Sequence, residues 1–450
     1  MTTPAGARAL NVTEIIDNSQ VGKFQIGIYA LCGLCLIMDG FDVQAWGYVA
    51  PSLFSEWNMA SAVGRVASVT LIGVMIGSVL FSMLADKIGR RPVLIGATLY
   101  FSALTLATAR VTSLEQLLVI RFIGGLGLGA IMPNAVALVG EYSPRRSRVM
   151  AMLVVSNGFT VGAAVAGFIA SYLIPNYGWR SVFYFGGTVP LVIGLLMFIS
   201  LPESLQFLTL RKKSLDKVGR WLKRVDPSVT IGPGTTFAVN EEKKKGVPIV
   251  ALFREGRAVG TVLLWTMQFM NLMNLYFLST WLPTIARGMG MTTTAAVMVG
   301  TTFQSGGAVG TIAIGWPIQK YGFFGVLIAC FAGAAVSIAL IGQGLSVFLL
   351  FVVVFTAGFG ILGGQGGNNA LAATYYPTDL RSTGVGAALG IGRIGSILGP
   401  SVAEFMRPRY TTQELFLAFA VPAVLSAVAV ATLRLVMRPA LAKSTTTVPT

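Results

Sequence analysis

The sequence contains no histidine, and only 11% of its 450 residues are charged. Without histidine there can be no histidine proton relay and few kinds of zinc site, so a proton that crosses this protein must use carboxylates. Soluble domains carry roughly 25% charged residues, and this chain has too few to cover a surface that faces water. The low charge therefore indicates a protein that faces lipid.

The sequence also lacks the patterns of redox, metal and nucleotide chemistry. Its three cysteines include a Cys-x-x-Cys pair, Cys32 and Cys35, but the pair lies in an apolar run without a second ligand pair, which favours packing. Gly125, Gly127 and Gly129 follow no strand, so close helix packing is favoured over a dinucleotide site. No phosphate-binding loop is present. We expect no cofactor, no metal and no enzymatic activity.

Long hydrophobic runs are abundant instead, since 54% of the residues are hydrophobic. Twelve runs can each cross a hydrocarbon core of ~30 Å as a helix. We expect these spans at roughly residues 24–48, 63–84, 93–109, 114–140, 149–173, 182–201, 258–282, 295–316, 323–342, 346–373, 382–406 and 414–436. The alternating segments of about 10 residues that form membrane barrels are missing. The sequence predicts an all-α polytopic membrane protein.

The net charge of +16 is distributed unevenly between the loops. If both termini are cytoplasmic, the inner segments and helix ends hold 25 of the 33 lysines and arginines, and 12 of these lie between residues 202 and 257. Membrane proteins concentrate basic residues in their cytoplasmic loops. The charge therefore predicts topology, with both termini cytoplasmic, and argues against nucleic-acid binding.

The polar stretch divides the helices into two groups of six. We expect a cytoplasmic segment at 1–23, a six-helix bundle at 24–201, a basic linker at 202–257, a second bundle at 258–436 and a cytoplasmic tail at 437–450. Within the linker, Trp221 and Leu222 indicate a short amphipathic helix on the membrane surface. Its Arg211-Lys212-Lys213 and Lys243-Lys244-Lys245 clusters favour attachment to an anionic leaflet over a regulatory site.

An internal repeat relates the two bundles. Five residues recur 233 positions later, namely Gly77, Gly89, Pro144, Arg148 and Gly162 as Gly310, Gly322, Pro377, Arg381 and Gly395. Parallel repeats of this kind are typical of transporters with a central site that opens alternately to each side. The sequence thus predicts twelve transmembrane helices in two pseudo-symmetric six-helix bundles.

Two aspartates stand out in the first span, because ionisable groups at membrane depth are costly and usually functional. Asp39 and Asp42 are three residues apart, which places them on one helical face. Two close carboxylates in a low dielectric do not both ionise easily, so the pair is suited to carrying a proton. Helical rise places Arg121 at a matching depth. We expect an Asp–Arg contact that serves coupling or substrate binding, or that only orients helices.

Candidate substrate ligands lie mainly in the second half. Arg393 lies at mid-depth without an obvious acidic partner, so it suits an anionic substrate or caps backbone carbonyls. Further polar and aromatic candidates in spans 7 and 10 are Gln268, Asn271, Asn274, Tyr276, Gln365, Asn368 and Asn369. Polar residues also hold membrane helices together, which remains an equal alternative for each of them.

Several motifs resemble the major facilitator superfamily over nearly the whole chain. Leu84-Ala85-Asp86-Lys87-Ile88-Gly89-Arg90-Arg91 is similar to its signature loop between helices 2 and 3. The resemblance implies gating roles for Asp86, Arg90, Arg91, Glu141, Arg148 and Arg381, with Arg121 in a helix 4 motif of proton-coupled members. Ser82 and Gln319 depart from the pattern, which implies that gate control is lopsided and rests on Asp86 and its neighbours.

Within that superfamily the chain resembles the aromatic acid:proton symporters. The elements are Asp39-Gly40-Phe41-Asp42, Leu201-Pro202-Glu203-Ser204, Trp281-Leu282-Pro283-Thr284 and Gly392-Arg393-Ile394-Gly395. The resemblance implies proton-coupled import of hydroxybenzoate- or benzoate-type carboxylates by a monomer in a bacterial inner membrane. A porter for a sugar or a non-aromatic organic acid, and a ligand-binding membrane sensor, remain alternatives.

Overall fold

The computed structural model describes residues 9–59, 62–211, 215–231, 235–239, 249–377 and 379–445. The helices of these residues are α1 (Val12–Asn18), α2 (Lys23–Glu56), α3 (Val63–Ile88), α4 (Arg90–Thr108), α5 (Leu114–Tyr142), α6 (Arg148–Tyr177), α7 (Arg180–Ser200), α8 (Leu205–Leu210), α9 (Leu215–Val225), α10 (Ala258–Gly288), α11 (Thr293–Ala313), α12 (Gly315–Tyr321), α13 (Phe323–Ile341), α14 (Val347–Tyr375), α15 (Arg381–Met406) and α16 (Thr412–Thr445). A 3-10 helix covers Ile249–Phe253. Lys212, Lys213, Lys243, Lys244 and Lys245, predicted to contact the membrane, lie outside the described residues.

A small sheet is the exception to the all-α prediction. Strand β1 (Ala9–Asn11) pairs in parallel with β2 (Thr236–Ala238), with Leu10 opposite Phe237. The two strands are three residues each and lie before α1 and after α9. Nothing in the sequence predicted this pairing, because three residues are too few for an alternating pattern.

The helices confirm a polytopic membrane protein. Nine helices of the described residues are long and apolar enough to cross a membrane, and α11 with α12, bent by 42° at their junction, forms a tenth candidate. The other two of the twelve predicted spans also form helices, α4 and α10. Both are less apolar, because α4 begins with Arg90 and Arg91 and α10 carries Gln268, Asn271 and Asn274.

Large apolar side chains cover much of the surface of these helices. Ile199 and Phe348 are each 79% exposed, and Ile312 is 73% exposed. Soluble monomers rarely expose apolar surface on this scale. In a hydrocarbon environment these side chains carry no free-energy cost of exposure to water. The exposed apolar surface therefore agrees with the lipid-facing protein that the composition predicts.

The repeat appears as equivalent helix contacts in the two halves. A Cβ on Gly77 of α3 would lie 2.0 Å from the carbonyl oxygen of Leu126 in α5, and one on Gly310 of α11 would lie 2.6 Å from that of Phe359 in α14. Gly162 of α6 approaches α2 in the same way, and Gly395 of α15 approaches α10. Glycine is required at such crossings because no other residue lets two backbones come so close.

The loop after the second span is repeated as well. Gly89, between α3 and α4, has a φ of 111°, and Gly322, between α12 and α13, has a φ of 80°. L residues rarely adopt this backbone region. The 233-residue offset therefore relates two turns of the same kind, and glycine supplies the conformation in both.

The contacts divide the chain into two compact units. The first contains the described residues of Met1–Val43, Ile72–Gly162 and Phe183–Lys243, and the second those of Gln44–Leu71, Ala163–Val182 and Lys244–Thr450. The second unit thus includes the ends of α2, α3, α6 and α7 that the predicted topology places outside. This division differs from the expected bundles because those helix ends pack against helices of the C-terminal half. The bundles at 24–201 and 258–436 remain a prediction.

Candidate transport site

The first unit contains a buried ion pair at the position that helical rise predicted. Nη1 of Arg121 in α5 donates to Oδ2 of Asp42 in α2 at 2.9 Å, and the two side chains are 4% and 1% exposed. The hydroxyl of Thr105 in α4 donates to Oδ1 of Asp42 at 2.7 Å. Both carboxylate oxygens of Asp42 are therefore hydrogen-bonded, one to α5 and the other to α4.

Close packing of α2 explains why both of its aspartates are buried. A Cβ on Gly40, between them, would lie 1.9 Å from the carbonyl oxygen of Phe159 in α6. Because this glycine lets α2 approach α6 closely, the neighbouring side chains are enclosed. Asp39 is 4% exposed and Asp42 is 1% exposed.

Arg121 keeps unused hydrogen-bonding capacity. Besides the Asp42 carboxylate it contacts the Asp42 carbonyl oxygen at 3.4 Å. Its Nε is buried and has no hydrogen-bond partner among the described residues. Guanidinium presents five donors in a plane, so this side chain can bind a further acceptor.

The predicted gating residues form separate contacts. Nε of Arg90 lies 2.5 Å from Oε1 of Glu141, and Arg148 forms an ion pair with Asp17. The Asp17 partner was missed, because one acidic residue in a polar segment gives no signal. The carboxylate of Asp86 and the guanidinium of Arg381 form no ion pair with any described residue.

Glu203 joins the signature loop to the end of α7. Its Oε1 accepts the backbone N–H groups of Arg90, Arg91 and Ser204 at 2.9, 3.1 and 2.9 Å. Burial raises the pKa of this carboxyl, and the three N–H groups oppose that shift. A Cβ on Gly89 would lie 2.2 Å from Oε2 of Glu203. Glu203 of the Pro-Glu-Ser element thus binds the start of α4, next to the loop between α3 and α4.

The second unit holds a polar cluster between α10 and α14. Nδ2 of Asn271 donates to Oε1 of Gln365 at 2.7 Å, and the Oδ1 of Asn369 accepts from Gln268 at 3.1 Å and from Gln365 at 3.2 Å. These four residues, Gln268, Asn271, Gln365 and Asn369, are called the amide cluster below. The structure therefore brings together four of the predicted substrate ligands.

Other predicted ligands lie apart from these hydrogen bonds. The amide of Asn274 fits the backbone of α16 when its oxygen and nitrogen are exchanged: its nitrogen then donates to the Phe419 oxygen at 2.8 Å and its oxygen accepts from the Ala423 N–H at 3.1 Å. Asn368 is 2% exposed, and neither polar atom of its side chain has a partner among the described residues. Arg393 on α15 and Tyr276 on α10 are partly exposed. Within the described part of the chain Arg393 makes no ion pair.

A second polar network, which we call the outer network, was not predicted. Nε2 of Gln304 in α11 donates to Oε1 of Gln44 at 2.7 Å and to Oγ of Ser279 in α10 at 3.0 Å. Gln44 also donates to the Ser279 carbonyl oxygen at 2.7 Å. All three side chains are buried. A glutamine within an apolar helix was the available signal, since Gln44 lies only two residues after Asp42.

Further contacts extend the outer network towards the ends of α3 and α15. Nε of Arg65 lies 2.6 Å from Oε1 of Glu404, and the hydroxyl of Ser68 lies 2.7 Å from that of Ser401. A Cβ on Gly64 would lie 2.2 Å from the Pro400 carbonyl oxygen. Helix ends from both halves of the sequence are thus joined within the second unit by close packing and hydrogen bonds.

Comparison with known proteins decides the family. The model of the Major Facilitator Superfamily matches residues 32–400 and 264–449. The chain belongs to that superfamily. Its relatives include the 4-hydroxybenzoate transporter PcaK of Pseudomonas putida, which is 38% identical over 94% of this chain and 95% of its own length. A gallate transporter of the same organism is 37% identical over 89% of each chain.

The solved structure of another transporter has the same fold. The D-xylose-proton symporter superposes with a TM-score of 0.71 at 16% identity, covering 91% of this chain and 97% of the symporter. The relatives confirm the predicted kinship with transporters of aromatic acids, and a benzoate transport protein of Acinetobacter baylyi is 31% identical over 94% of this chain and 92% of its own length. The superfamily assignment also agrees with the glycine crossings and signature loop described above.

Proposed function

We propose that this protein is a secondary active transporter that imports an aromatic carboxylate of the hydroxybenzoate or benzoate type together with protons. The buried Asp42–Arg121 ion pair carries the proposal, because it offers a protonatable carboxylate and a cation at one place in a lipid-facing protein. The names of the relatives support the substrate class. Asp39, buried on the same helix, is proposed to share the proton site.

Proton coupling would operate through the ion pair between Asp42 and Arg121. In the charged form Asp42 accepts from Arg121 and from Thr105. Protonation neutralises Asp42, so the ion pair loses most of its attraction and Arg121 becomes available to the substrate carboxylate. Only the loaded carrier then changes conformation, which couples the two fluxes.

Substrate recognition is proposed to involve the amide cluster, with Arg393, Asn368 and Tyr276. Asn271 Oδ1 and both polar atoms of Asn368 are buried without partners among the described residues. Buried polar groups are normally hydrogen-bonded, so these atoms have capacity for a hydroxyl or carboxyl group of a ligand. Arg393 can hold a carboxylate bidentately. Asn274, which faces α16, is proposed to fix helices instead.

Alternating access would require the outer network to break. Substrate can enter from outside only after α2 and α3 separate from α10, α11 and α15, which costs the hydrogen bonds of Gln44, Gln304 and Ser279. Asp86, Arg90, Arg91, Glu141, Arg148 and Arg381 are proposed to form and release the inner gate. The two sets of contacts would form alternately.

The proposed setting is a bacterial inner membrane, with both termini cytoplasmic and the monomer as the working unit. The basic linker and the positive-inside rule support this orientation. Tryptic cleavage in right-side-out and inside-out vesicles checks it, because the linker must be cut only when the cytoplasmic side is accessible. Cleavage of the linker from the outer side would contradict the topology.

Uptake into proteoliposomes tests the function. With acid outside, labelled 4-hydroxybenzoate should accumulate, unlabelled benzoate should compete and D-xylose should not. Competition by the sugar alone would favour a sugar porter, and binding without net flux would favour a sensor.

Arg393→Ala tests the proposed substrate anchor. Loss of a charge-assisted bidentate contact should raise the substrate Kd by roughly 10- to 100-fold, whereas Arg434→Ala, an exposed arginine on α16, should leave it unchanged. An unchanged Kd in Arg393→Ala removes that residue from the site.

A further inference from the structure

A cavity of about 820 Å³ lies in the first unit, and its lining contains none of the proposed proton- or substrate-binding residues. The first residues of α2, the last residues of α3 and α7, and one face of the linker helix α9 line it. All these helix ends lie on the side of the basic loops. The volume falls within the range of ligand pockets, roughly 300–1,000 Å³.

The charged lining of the cavity is mostly basic. Lys23, Arg91, Lys217 and Arg224 contribute cations and Glu203 contributes one carboxylate. That carboxylate is engaged by three backbone N–H groups. Arg91 is engaged as well, since its Nε donates to the Leu201 carbonyl oxygen at 2.7 Å.

Three cations therefore remain for a ligand. Lys23, Lys217 and Arg224 form no ion pair with a described residue. The guanidinium of Arg224 lies 5.8 Å from the centre of the Phe24 ring, which holds it at the edge of the cavity. A ligand that matches these groups must be anionic.

The remaining wall is apolar and faces lipid. Ile88 and Leu196 are each 47% exposed, and Ile199 is 79% exposed. All three lie at the ends of membrane-spanning helices and line the same cavity as the cations. A soluble anion would contact only the cations and not this apolar wall. A phospholipid can contact both, with its phosphate at the cations and its acyl chains along the apolar wall.

The face of α9 that lines the cavity is distinct from its other faces. Lys217, Trp221 and Arg224 are spaced four and three residues apart and line the cavity, so they lie on one side of the helix. Val218, Leu222 and Val225 are buried. All four basic side chains of α9 are exposed, but only Lys217 and Arg224 line the cavity, whereas Arg220 and Lys223 do not. The helix thus carries two cations at the cavity and two outside it.

We propose that this cavity binds an anionic phospholipid of the cytoplasmic leaflet, with its phosphate at Lys23, Lys217 and Arg224 and its acyl chains along Leu196 and Ile199. The bound lipid fills the space between α9 and the ends of α2 and α7, within the first unit. The proposal rests on the membrane setting and needs neither the substrate nor the proton assignment.

Native mass spectrometry of the purified full-length protein tests it. Dioleoylphosphatidylglycerol should bind in preference to dioleoylphosphatidylcholine, and glycerol phosphate, which has the charged group without acyl chains, should not displace it. Equal retention of the two lipids, or displacement by glycerol phosphate at equal concentration, would overturn the proposal. These comparisons use the unmodified chain, so they do not depend on whether a variant folds.

A pair of double variants locates the site. Lys217→Gln with Arg224→Gln should weaken phosphatidylglycerol binding by about 25-fold, since each cation near a membrane surface contributes roughly fivefold. Arg220→Gln with Lys223→Gln removes the same charge from the same helix and should weaken it by at most about fivefold. Equal losses in the two variants would mean that general surface charge attracts the lipid, and the site would be wrong.

Discussion

Nη1 of Arg121 lies 2.9 Å from Oδ2 of Asp42, and no more than 4% of either side chain is exposed. Removing one partner of such a buried pair typically costs 3–5 kcal/mol, because the other charge stays buried without compensation. Protonating Asp42 has a similar effect on Arg121. The protein can avoid that cost by placing a substrate carboxylate beside the arginine, which is how the geometry would link proton binding to substrate binding.

Thr105→Val should slow gradient-driven uptake of 4-hydroxybenzoate. The change removes the hydroxyl that donates to Oδ1 of Asp42 at 2.7 Å, so Asp42 loses one of the contacts that fix its carboxylate beside Arg121. A hydrogen bond to a charged group contributes about 1.5–3 kcal/mol, so the uptake rate should fall by roughly tenfold or more. Thr108→Val on the same helix removes a hydroxyl that bonds only the Leu104 carbonyl. Equal uptake rates for the two variants would contradict a role for Thr105.

Gln304→Leu should weaken closure on the outer side. The variant loses the hydrogen bonds to Gln44 and Ser279, so the conformation with a separated outer network becomes more populated. The assay uses a parent protein without the native cysteines that carries Ser401→Cys. Adding Gln304→Leu to this parent should make the new thiol react several times faster with a membrane-impermeant reagent. Thr302→Val, which disturbs only a bond within α11, should react at the parent rate. If the Gln304→Leu variant reacts at the parent rate, the outer network is not a gate.

Gly89→Ala should lower the melting temperature of the purified protein. Alanine is strained at the φ of 111° that this position requires, and its Cβ would lie 2.2 Å from Oε2 of Glu203. Gly322→Ala meets strain at φ 80° but has no atom within 4 Å of the new Cβ, so it should cost less, about 1 kcal/mol. Gly96→Ala, in the middle of α4 with open space, should be neutral or stabilising. Equal melting temperatures for the Gly89 and Gly322 variants would contradict the proposed fit of Glu203.

The sequence sufficed for features that depend on helical rise and on repeats. The Asp42–Arg121 contact followed from matching depths, and the two glycine turns followed from the 233-residue offset. Thr105 could not be found in this way, because a threonine in an apolar helix carries no signal of its partner. Asn274 has the same three-residue spacing as Gln268 and Asn271 but lies on a different face of α10. Each step of three residues turns a helix by about 300°, so after two steps Asn274 is rotated about 120° from Gln268 and faces α16.

Tertiary packing accounts for the other features that the sequence did not predict. The outer network joins α2 to α10 and α11, and no spacing within any one helix encodes which helices meet. The same holds for β1 and β2, which are separated by more than 200 residues of sequence. The cavity of the first unit combines the beginning of α2, the ends of α3 and α7 and the linker, so its basic lining is visible only in three dimensions.

Substrate movement by Asp42→Asn tests the central claim most directly. Asparagine resembles protonated aspartate, so the variant should exchange labelled for unlabelled 4-hydroxybenzoate across a proteoliposome membrane yet fail to accumulate it when an acid-outside gradient is imposed. Glu115→Gln, which neutralises an exposed carboxylate in the first turn of α5, should behave like the unmodified protein in both assays. Gradient-driven accumulation by Asp42→Asn at the unmodified level would contradict the account, because coupling would then not require this carboxylate.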